Sequence, residues 1–316
     1  MPEAAVLFNP APMANPESQT AHPVPMEMVH RTKAEDAFPR SWIRKSRDRF
    51  SVAAVLPHDH PFFAPVHGDR HDPLLIAETM RQAAMLAFHA GYGVPLGYHF
   101  LMANLDYTCH MDHLRVGDAP AEIDVEVVCS ELKWRGGQPV QGQVDWTVRR
   151  AGRLVATGAG ATRFTSPQVY RRMRGDFAFP GTSIPVTTPV SPARAGRGRG
   201  RGEDVVLSES LQENVWQLRV DTRHSTLFQR PNDHVPGMLL LEAARQAACL
   251  VAGPVPFVPV AGGTRFHRYA EFNRPCWIQA TVKPSGVPGM TTTQVTGHQD
   301  GNLVFFTTLT SPAFTG

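Results

Sequence analysis

The sequence predicts an α+β protein built from two copies of one unit, each a long helix wrapped by a curved antiparallel sheet. A helical segment occurs twice, as IAETMRQAAML at 76–86 and LLEAARQAACL at 240–250. The interval from Glu78 to its counterpart Glu242 is roughly the length of one compact domain. Several extended segments follow each helix, and a stretch rich in Pro, Gly, Ser and Thr separates the copies at 175–204.

The elements of both copies follow one order. Alternating apolar residues at 49–57 and 215–220 predict a strand, and a loop rich in Pro and His comes next. The first helix, LLIAETMRQAAMLAFHAG, is apolar on nearly every side, which is typical of a helix surrounded by protein. The extended segments that follow the helices are 98–109, 121–134 and 139–165, and then 264–272, 276–284, 291–299 and 303–310.

A helix wrapped by such a sheet is the hotdog architecture, and the duplication predicts a tandem (double) hotdog fold. We expect the two sheets to lie edge to edge as an internal pseudo-dimer. The predicted divisions are an N-terminal extension (1–25), a first hotdog domain (26–174), a linker (175–204) and a second hotdog domain (205–316). The linker's RAGRGRGRG run could contact RNA, but its composition favours a solvated tether.

Composition excludes several classes of protein. Apolar residues make up 42% and charged residues 19%, and no apolar run approaches the length of a membrane helix. The N-terminus lacks a secretory signal, which predicts a cytoplasmic protein. A net charge of only +3 and the lack of a helix-turn-helix pattern argue against nucleic acid. The four cysteines lie far apart, which predicts buried, unpaired thiols rather than a zinc ribbon.

The repeated helix keeps the same polar residues in both copies: Glu78, Arg81 and Gln82 in the first, and Glu242, Arg245 and Gln246 in the second. Residues three or four apart share one helix face. A structural ion pair is the alternative interpretation, but buried charges carry a desolvation penalty that often exceeds their mutual attraction. Retaining the pair twice on an apolar helix therefore favours a functional pocket, in which we expect Gln82 and Gln246 to bind substrate.

The loops before the helices contain further candidates for substrate binding, namely His67, Arg70 and His234. Their spacing matches no standard metal-ligand pattern, so we predict acid–base or anion-binding roles and no metal. Gly237 begins the second helix and would let free backbone amides approach a ligand that develops negative charge. Asp72 and Pro73 stand at the start of the first helix, which makes it a poorer site of this kind.

Longer motifs resemble a known family. PNDHVPGMLLLEAARQAA is similar to the helix entry of hotdog dehydratases that act on acyl-carrier-protein thioesters. The chain from about residue 20 to the C-terminus, apart from the linker, is similar to the AfsA family of γ-butyrolactone biosynthesis proteins. The motifs that carry this resemblance are VHRTKAEDAFPRSW at 29–42, DHPFFAPVHGDRHDPLLIAETMRQAAMLAFHAGYGVP at 59–95, LKWRGGQPVQG at 132–142 and LFQRPNDHVPGMLLLEAARQAA at 227–248.

The resemblance implies an acyl transfer without a cofactor. A β-ketoacyl group would move from an acyl carrier protein to the hydroxyl of dihydroxyacetone phosphate, and the ester could close to a butenolide. The family's Glu-x-x-Arg motif implies Glu78 or Glu242 as a base, and Arg81 or Arg245 as a phosphate or oxyanion partner. Gly237 favours the second pair. Homodimerisation stays open.

Two alternatives also stay open. The dehydratase-like helix entry allows a thioesterase or dehydratase. However, the second loop reads LFQRPND and lacks the dehydratase His, so only His67 could act across the pseudo-dimer on Glu242. The same loss allows a protein that binds a butyrolactone without catalysis.

Overall fold

A computed structural model describes residues 20–66, 69–178, 186–191 and 201–313. The first half contributes strands β1 (His22–Pro23), β2 (Pro39–Arg44), β3 (Arg49–Leu56), β4 (His99–Cys109), β5 (Ala121–Arg135), β6 (Gln138–Arg150) and β7 (Arg153–Thr165). The second half contributes β8 (Leu207–Ser208), β9 (Val215–Leu218), β10 (Ala261–Phe266), β11 (Trp277–Lys283), β12 (Met290–Gln299) and β13 (Asn302–Pro312). The α-helices are α1 (Pro73–Leu86), α2 (Pro167–Arg174) and α3 (Gly237–Ala252).

All thirteen strands form one sheet, in the order β1-β2-β3-β5-β6-β7-β4-β10-β13-β12-β11-β9-β8. The two halves meet where β4 pairs antiparallel with β10, from Thr108 opposite Ala261 to Asn104 opposite Arg265. Backbone hydrogen bonds therefore run across the seam without a gap. The predicted double hotdog with edge-to-edge sheets is confirmed.

Helix α1 lies inside the curve of the first half's sheet. Asp72 accepts a hydrogen bond from the amide of Leu74 at 2.8 Å and thereby caps the helix. A π-helical turn at Ala87–Gly91 extends the C-terminal end of α1. Every residue of α1 except Arg81 is buried. On the polar face of α1 predicted from the sequence, Arg81 is therefore the one residue that is partly exposed.

The helix approaches the sheet closely at β7. A Cβ on Gly158 would lie 2.6 Å from the carbonyl oxygen of Asp106 and 2.8 Å from the sulfur of Met80. Only glycine fits at this point without a shift of the neighbouring strand or helix. This packing holds the rest of α1, including its charged turn, at a fixed height above β4 and β7.

Some details differ from the prediction. The extended segment 139–165 is a hairpin of β6 and β7, because Ala151 and Gly152 adopt positive φ values of 48° and 77° and reverse the chain. Helix α2 was not predicted, although Ser166 followed by Pro167 is a recognisable helix start.

The linker is only partly described. Val190 is buried, and its amide donates to the carbonyl of Leu207 at 2.9 Å, so this part of the predicted tether packs on the second half. The arginine–glycine run up to residue 200 lies outside the described residues, and the domain boundaries stay predictions.

All four cysteines are buried, and none forms a disulfide. Among the described residues, no helix has the length and apolar character needed to cross a bilayer.

Candidate active site

Glu78 on α1 is fully buried and bound by three side chains. Arg81 donates to its carboxylate through Nε and Nη2, both at 2.8 Å, and Gln82 donates at 2.7 Å. Arg31, from the segment ahead of β2, forms a further ion pair with it. Two guanidinium groups thus share one carboxylate.

These contacts fix the protonation state of Glu78. Burial raises the pKa of this carboxyl, but Arg31 and Arg81 outweigh burial and lower the pKa to about 2. Glu78 is therefore an anion at neutral pH. A carboxylate with so low a pKa is a weak proton acceptor, which favours a role in holding the two arginines over a role as the base.

The equivalent turn on α3 is shielded from solvent. Arg245 donates to Glu242 at 2.9 and 2.6 Å, and Gln246 donates to the same carboxylate at 2.7 Å. The Arg245 side chain is 3% exposed, compared with 23% for Arg81. Burial lowers the pKa of Arg245, but Glu242 and, more weakly, Asp72 raise it above its ordinary value.

The two glutamines fasten both turns to the preceding segment in the same way. Gln82 donates to the carbonyl of Asp36 at 2.7 Å and accepts from the amide of Phe38 at 3.0 Å. Gln246 makes the matching bonds to Asp204 and Val206, at 2.8 and 3.0 Å. The sequence flagged both glutamines as substrate ligands, whereas these contacts support a scaffolding role for them.

Two buried histidines complete this repeated scaffold. Nε2 of His60 lies 3.2 Å from a carboxylate oxygen of Asp36, and Nδ1 accepts hydrogen bonds from the backbone amides of Phe62 and Phe63. His224 makes the same contacts with Asp204 and with the amides of Thr226 and Leu227. The two histidines are separated by the same interval as Glu78 and Glu242, which was the sequence signal for this pairing. Both act in folding the loop rather than in a metal site.

A cavity of about 180 Å³ lies at the seam between the halves. The first half lines it with residues of α1, β4, β6 and β7, including Arg81, Met85, Met102 and Trp146. The second half lines it with the loop before α3 and with the start of that helix, including Thr226, Gln229, Arg230, Gly237 and Met238. Glu242 and Arg245 do not line this cavity.

The start of α3 is shaped for close approach. Its N-cap, Pro236, provides no side-chain hydrogen bond, and helix geometry leaves the amides of Gly237 and Met238 without an intrahelical acceptor. A Cβ on Gly237 would lie 2.8 Å from the terminal methyl of Met102. At the start of α1, by contrast, the corresponding amide of Leu74 donates a hydrogen bond to the Asp72 carboxylate.

The remaining predicted residues lie elsewhere. His67 is outside the described residues. Arg70 forms a surface ion pair with Asp69. His234 contacts the carboxylate of Asp233 at 2.7 Å and the hydroxyl of Tyr170 at 3.2 Å. It lines a second cavity of about 730 Å³, which shares only Met102 and Gly237 with the first.

A buried helix wrapped by an antiparallel sheet, present twice and joined at an edge, defines a double hotdog protein with a charged cavity at its seam. The chain belongs to the AfsA family: the family's model, described as an A-factor biosynthesis hotdog domain, matches residues 13–166 and 183–315.

Several curated relatives match most or all of this chain. A Streptomyces coelicolor protein named 2-oxo-3-(phosphooxy)propyl 3-oxoalkanoate synthase is 75% identical over 100% of both chains. A protein of the same name from Streptomyces griseus is 66% identical over 99% of each chain, and one from Streptomyces virginiae is 43% identical over 89% of this chain and 95% of its own.

Among solved structures, a protein described as an oleoyl thioesterase from Lactobacillus plantarum superposes with a TM-score of 0.53 at 13% identity, covering 85% of this chain and 97% of its own. At that identity, the likeness shows the fold alone.

Proposed function

We propose that this chain is an acyltransferase that moves a 3-oxoacyl group from a thioester to the hydroxyl of dihydroxyacetone phosphate. The name of the relatives describes the ester that this reaction makes. The thioester's carbonyl carbon forms a bond to the acceptor oxygen and breaks its bond to sulfur. The hydroxyl proton ends on the released thiol, so the reaction balances without a cofactor.

One observation carries the mechanism: the seam cavity places Arg81 of the first half and the helix start of the second half around one space. The tetrahedral intermediate of acyl transfer carries a negative oxygen, which backbone amides and a guanidinium stabilise. Gly237 and Met238 supply the amides, and Arg81 supplies the guanidinium. Glu78 holds Arg81 in place because it pairs with two of its nitrogens.

The first pair therefore does the chemistry in this proposal. The sequence favoured Glu242 with Arg245 because Gly237 precedes them along the chain. In space, however, Gly237 opens onto the cavity that contains Arg81, across the seam. The proposal therefore departs from the preference drawn from the sequence, because the start of α3 lines the same cavity as Arg81 of the other half.

The acyl donor in this proposal is an acyl carrier protein, as the motifs imply. The second cavity supports this choice because it reaches the helix start from another side and shares Gly237 and Met102 with the first. A thioester arm entering there would place its carbonyl beside the free amides while the acceptor occupies the first cavity. We further propose that the protein works in the cytoplasm and that it forms a homodimer.

The direct test is thiol release from a β-ketoacyl carrier protein by the purified chain. We expect release to depend on dihydroxyacetone phosphate, with the ester detected by mass spectrometry. Release at the same rate without the acceptor would show a thioesterase and contradict the proposal. Loss of water from a β-hydroxyacyl carrier protein would show a dehydratase, with the same consequence.

A further inference from the structure

The seam cavity has more positive charge than its one carboxylate can balance. Arg31, Arg81 and Arg230 all line it, and Glu78 pairs with the first two. Arg230 forms no ion pair with a carboxylate among the described residues; its guanidinium instead donates to Nδ1 of His30 at 2.9 Å. Three cations therefore face one anion, which leaves two positive charges in excess.

The partner of Arg230 is neutral. Burial and the nearby Arg230 and Arg81 lower the pKa of His30 to about 2, so its ring carries no charge at neutral pH. Arg230 itself stays charged, since partial desolvation together with Arg81 and Arg31 lowers its pKa only to about 10. The contact thus positions Arg230 without neutralising it.

A chain of hydrogen bonds fixes the direction of this contact. Nδ1 of His89 lies 2.6 Å from the carbonyl oxygen of Val94, so it must carry the proton and donate. Nε2 of His89 then accepts the hydrogen bond that Nε2 of His30 donates at 2.9 Å. Nδ1 of His30 is consequently free to accept from Arg230. The direction of each of these three hydrogen bonds is therefore fixed.

The loop that carries Arg230 is hydrogen-bonded to the first half at two points. Arg31 donates to the carbonyl of Thr226 at 3.2 Å, and the amide of Thr32 donates to the side chain of Gln229 at 3.1 Å. Arg230 is exposed at the mouth, whereas Arg31 is 9% exposed. An incoming phosphate group therefore meets Arg230 first and then Arg31.

From this geometry we infer that Arg230, together with Arg31, binds the phosphate group of the acceptor, and that His30 and His89 position Arg230 for it. A phosphate monoester is a dianion, which matches the two charges in excess, and guanidinium forks bind phosphate oxygens through paired hydrogen bonds. The position equivalent to Arg230 in the first half is the buried Val66, so the sequence offers this cluster once.

The inference rests on the proposed function and is tested by the choice of acceptor. Wild-type enzyme and the Arg230→Met variant are compared with dihydroxyacetone phosphate and with dihydroxyacetone, which lacks the phosphate. We expect Arg230→Met to raise the KM for the phosphorylated acceptor about 10- to 100-fold, the usual effect of losing a charged hydrogen bond. The variant should leave the KM for the acyl carrier protein unchanged, and Arg230→Lys should fall between the two.

A second readout uses inorganic phosphate as the probe. We expect phosphate to compete with the acceptor in the wild-type enzyme and to lose most of this inhibition in Arg230→Met. Arg70→Met, which removes a surface arginine outside the cavity, is the matched control and should behave as wild type.

His30→Asn tests the positioning chain and should raise the KM for the phosphorylated acceptor more than the KM for dihydroxyacetone. Unchanged phosphate inhibition and unchanged acceptor preference in Arg230→Met would overturn the inference while leaving acyl transfer intact. If the wild-type enzyme transferred no acyl group at all, the proposed function would fail instead, and direct calorimetric binding of phosphate would still decide the role of Arg230.

Discussion

The two charged helix turns have the same residues and opposite surroundings. Arg81 borders a cavity that also contains a helix start with free amides, and its buried partner Glu78 pairs with a second cation, Arg31. Glu242 and Arg245 lie in the core of the second half, where the side chain of Arg245 is 3% exposed. The helix start on their side of the seam belongs to α1. There the amide of Leu74 already donates a hydrogen bond to the carboxylate of Asp72.

This difference shows how a duplicated site can divide its tasks. In one copy, the excess positive charge and the open amides suit an anionic substrate. In the other, Glu242 balances the charge of the buried Arg245, and the carboxylate of Asp72 adds only a weak further interaction. In our proposal the second turn serves the fold, and Gln246 makes the same hydrogen bond to its neighbouring segment as Gln82 does.

Replacing the two arginines should separate these tasks most clearly. Arg81→Met should lower kcat/KM for acyl transfer about 100- to 1000-fold, because it removes a donor to the developing oxyanion. Arg245→Met should instead lower the free energy of unfolding by about 3–5 kcal/mol, because Glu242 stays buried without its cation. Urea unfolding and thiol release per folded molecule measure both effects. Equal losses of specific activity in the two variants would break the comparison.

The helix starts give a smaller contrast. Gly237→Ala adds a methyl 2.8 Å from the end of the Met102 side chain and should displace the first turn of α3 slightly. We expect an about 10- to 100-fold lower kcat, since small misplacements of catalytic groups have effects of this size. Met102→Ala in the same chain should restore part of the rate by making room.

Gly202→Ala is the control for this effect, because a Cβ there meets nothing within 4 Å. It should leave kcat as in the wild type. Full activity of Gly237→Ala would show that the start of α3 takes no part in catalysis.

Variants of the two glutamines should differ in acyl-transfer activity but not in their loss of stability. Gln82→Leu and Gln246→Leu each leave a buried amide and a buried carbonyl without their hydrogen-bond partner and remove one donor to the carboxylate, so each should destabilise the fold by about 3 kcal/mol. Only Gln82→Leu should also lower acyl transfer, by about 10-fold, since Glu78 then holds Arg81 less firmly. Thermal unfolding and steady-state kinetics on both variants check this. A drop in specific activity confined to Gln246→Leu would reverse the assignment of the two turns.

The pH dependence of stability gives the smallest expected effect. Arg31 and Arg81 hold the pKa of Glu78 at about 2, whereas an unfolded glutamate titrates near its ordinary value of about 4.3. The folded state therefore resists protonation, and this stabilisation is complete above the unfolded value and lost as the pH falls toward 2. Glu78→Gln should be less stable at pH 7 but should lose less stability between pH 5 and 3.

Urea midpoints across that range measure the slope. Glu126→Gln, which removes an exposed carboxylate on β5, should keep the slope of the wild type. A Glu78→Gln variant with an unchanged slope would contradict the charge pairing described for the site.

Much of this arrangement could be read from the sequence, because its signals are local or repeated. Apolar residues on every side of the helix predicted its burial, and the constant interval between matching residues predicted two sheets joined at an edge. The Glu-x-x-Arg turns were visible for the same reason.

What the sequence could not show is which surfaces meet across the seam. Arg31 and Arg230 lie in opposite halves of the chain, in segments whose local pattern gives no sign of a shared site, and they come together only because β4 pairs with β10. The preference for the second pair assumed that a helix start serves its own helix. Helix α2 was overlooked because it is short and polar.

The most direct test of the account is a crystal structure of the protein with dihydroxyacetone phosphate bound. The account predicts the phosphate within hydrogen-bonding distance of Arg230 and Arg31, and the free hydroxyl near Arg81 and the amide of Gly237. A ligand bound beside Glu242 and Arg245, with the seam cavity at Arg81 unoccupied, would contradict it.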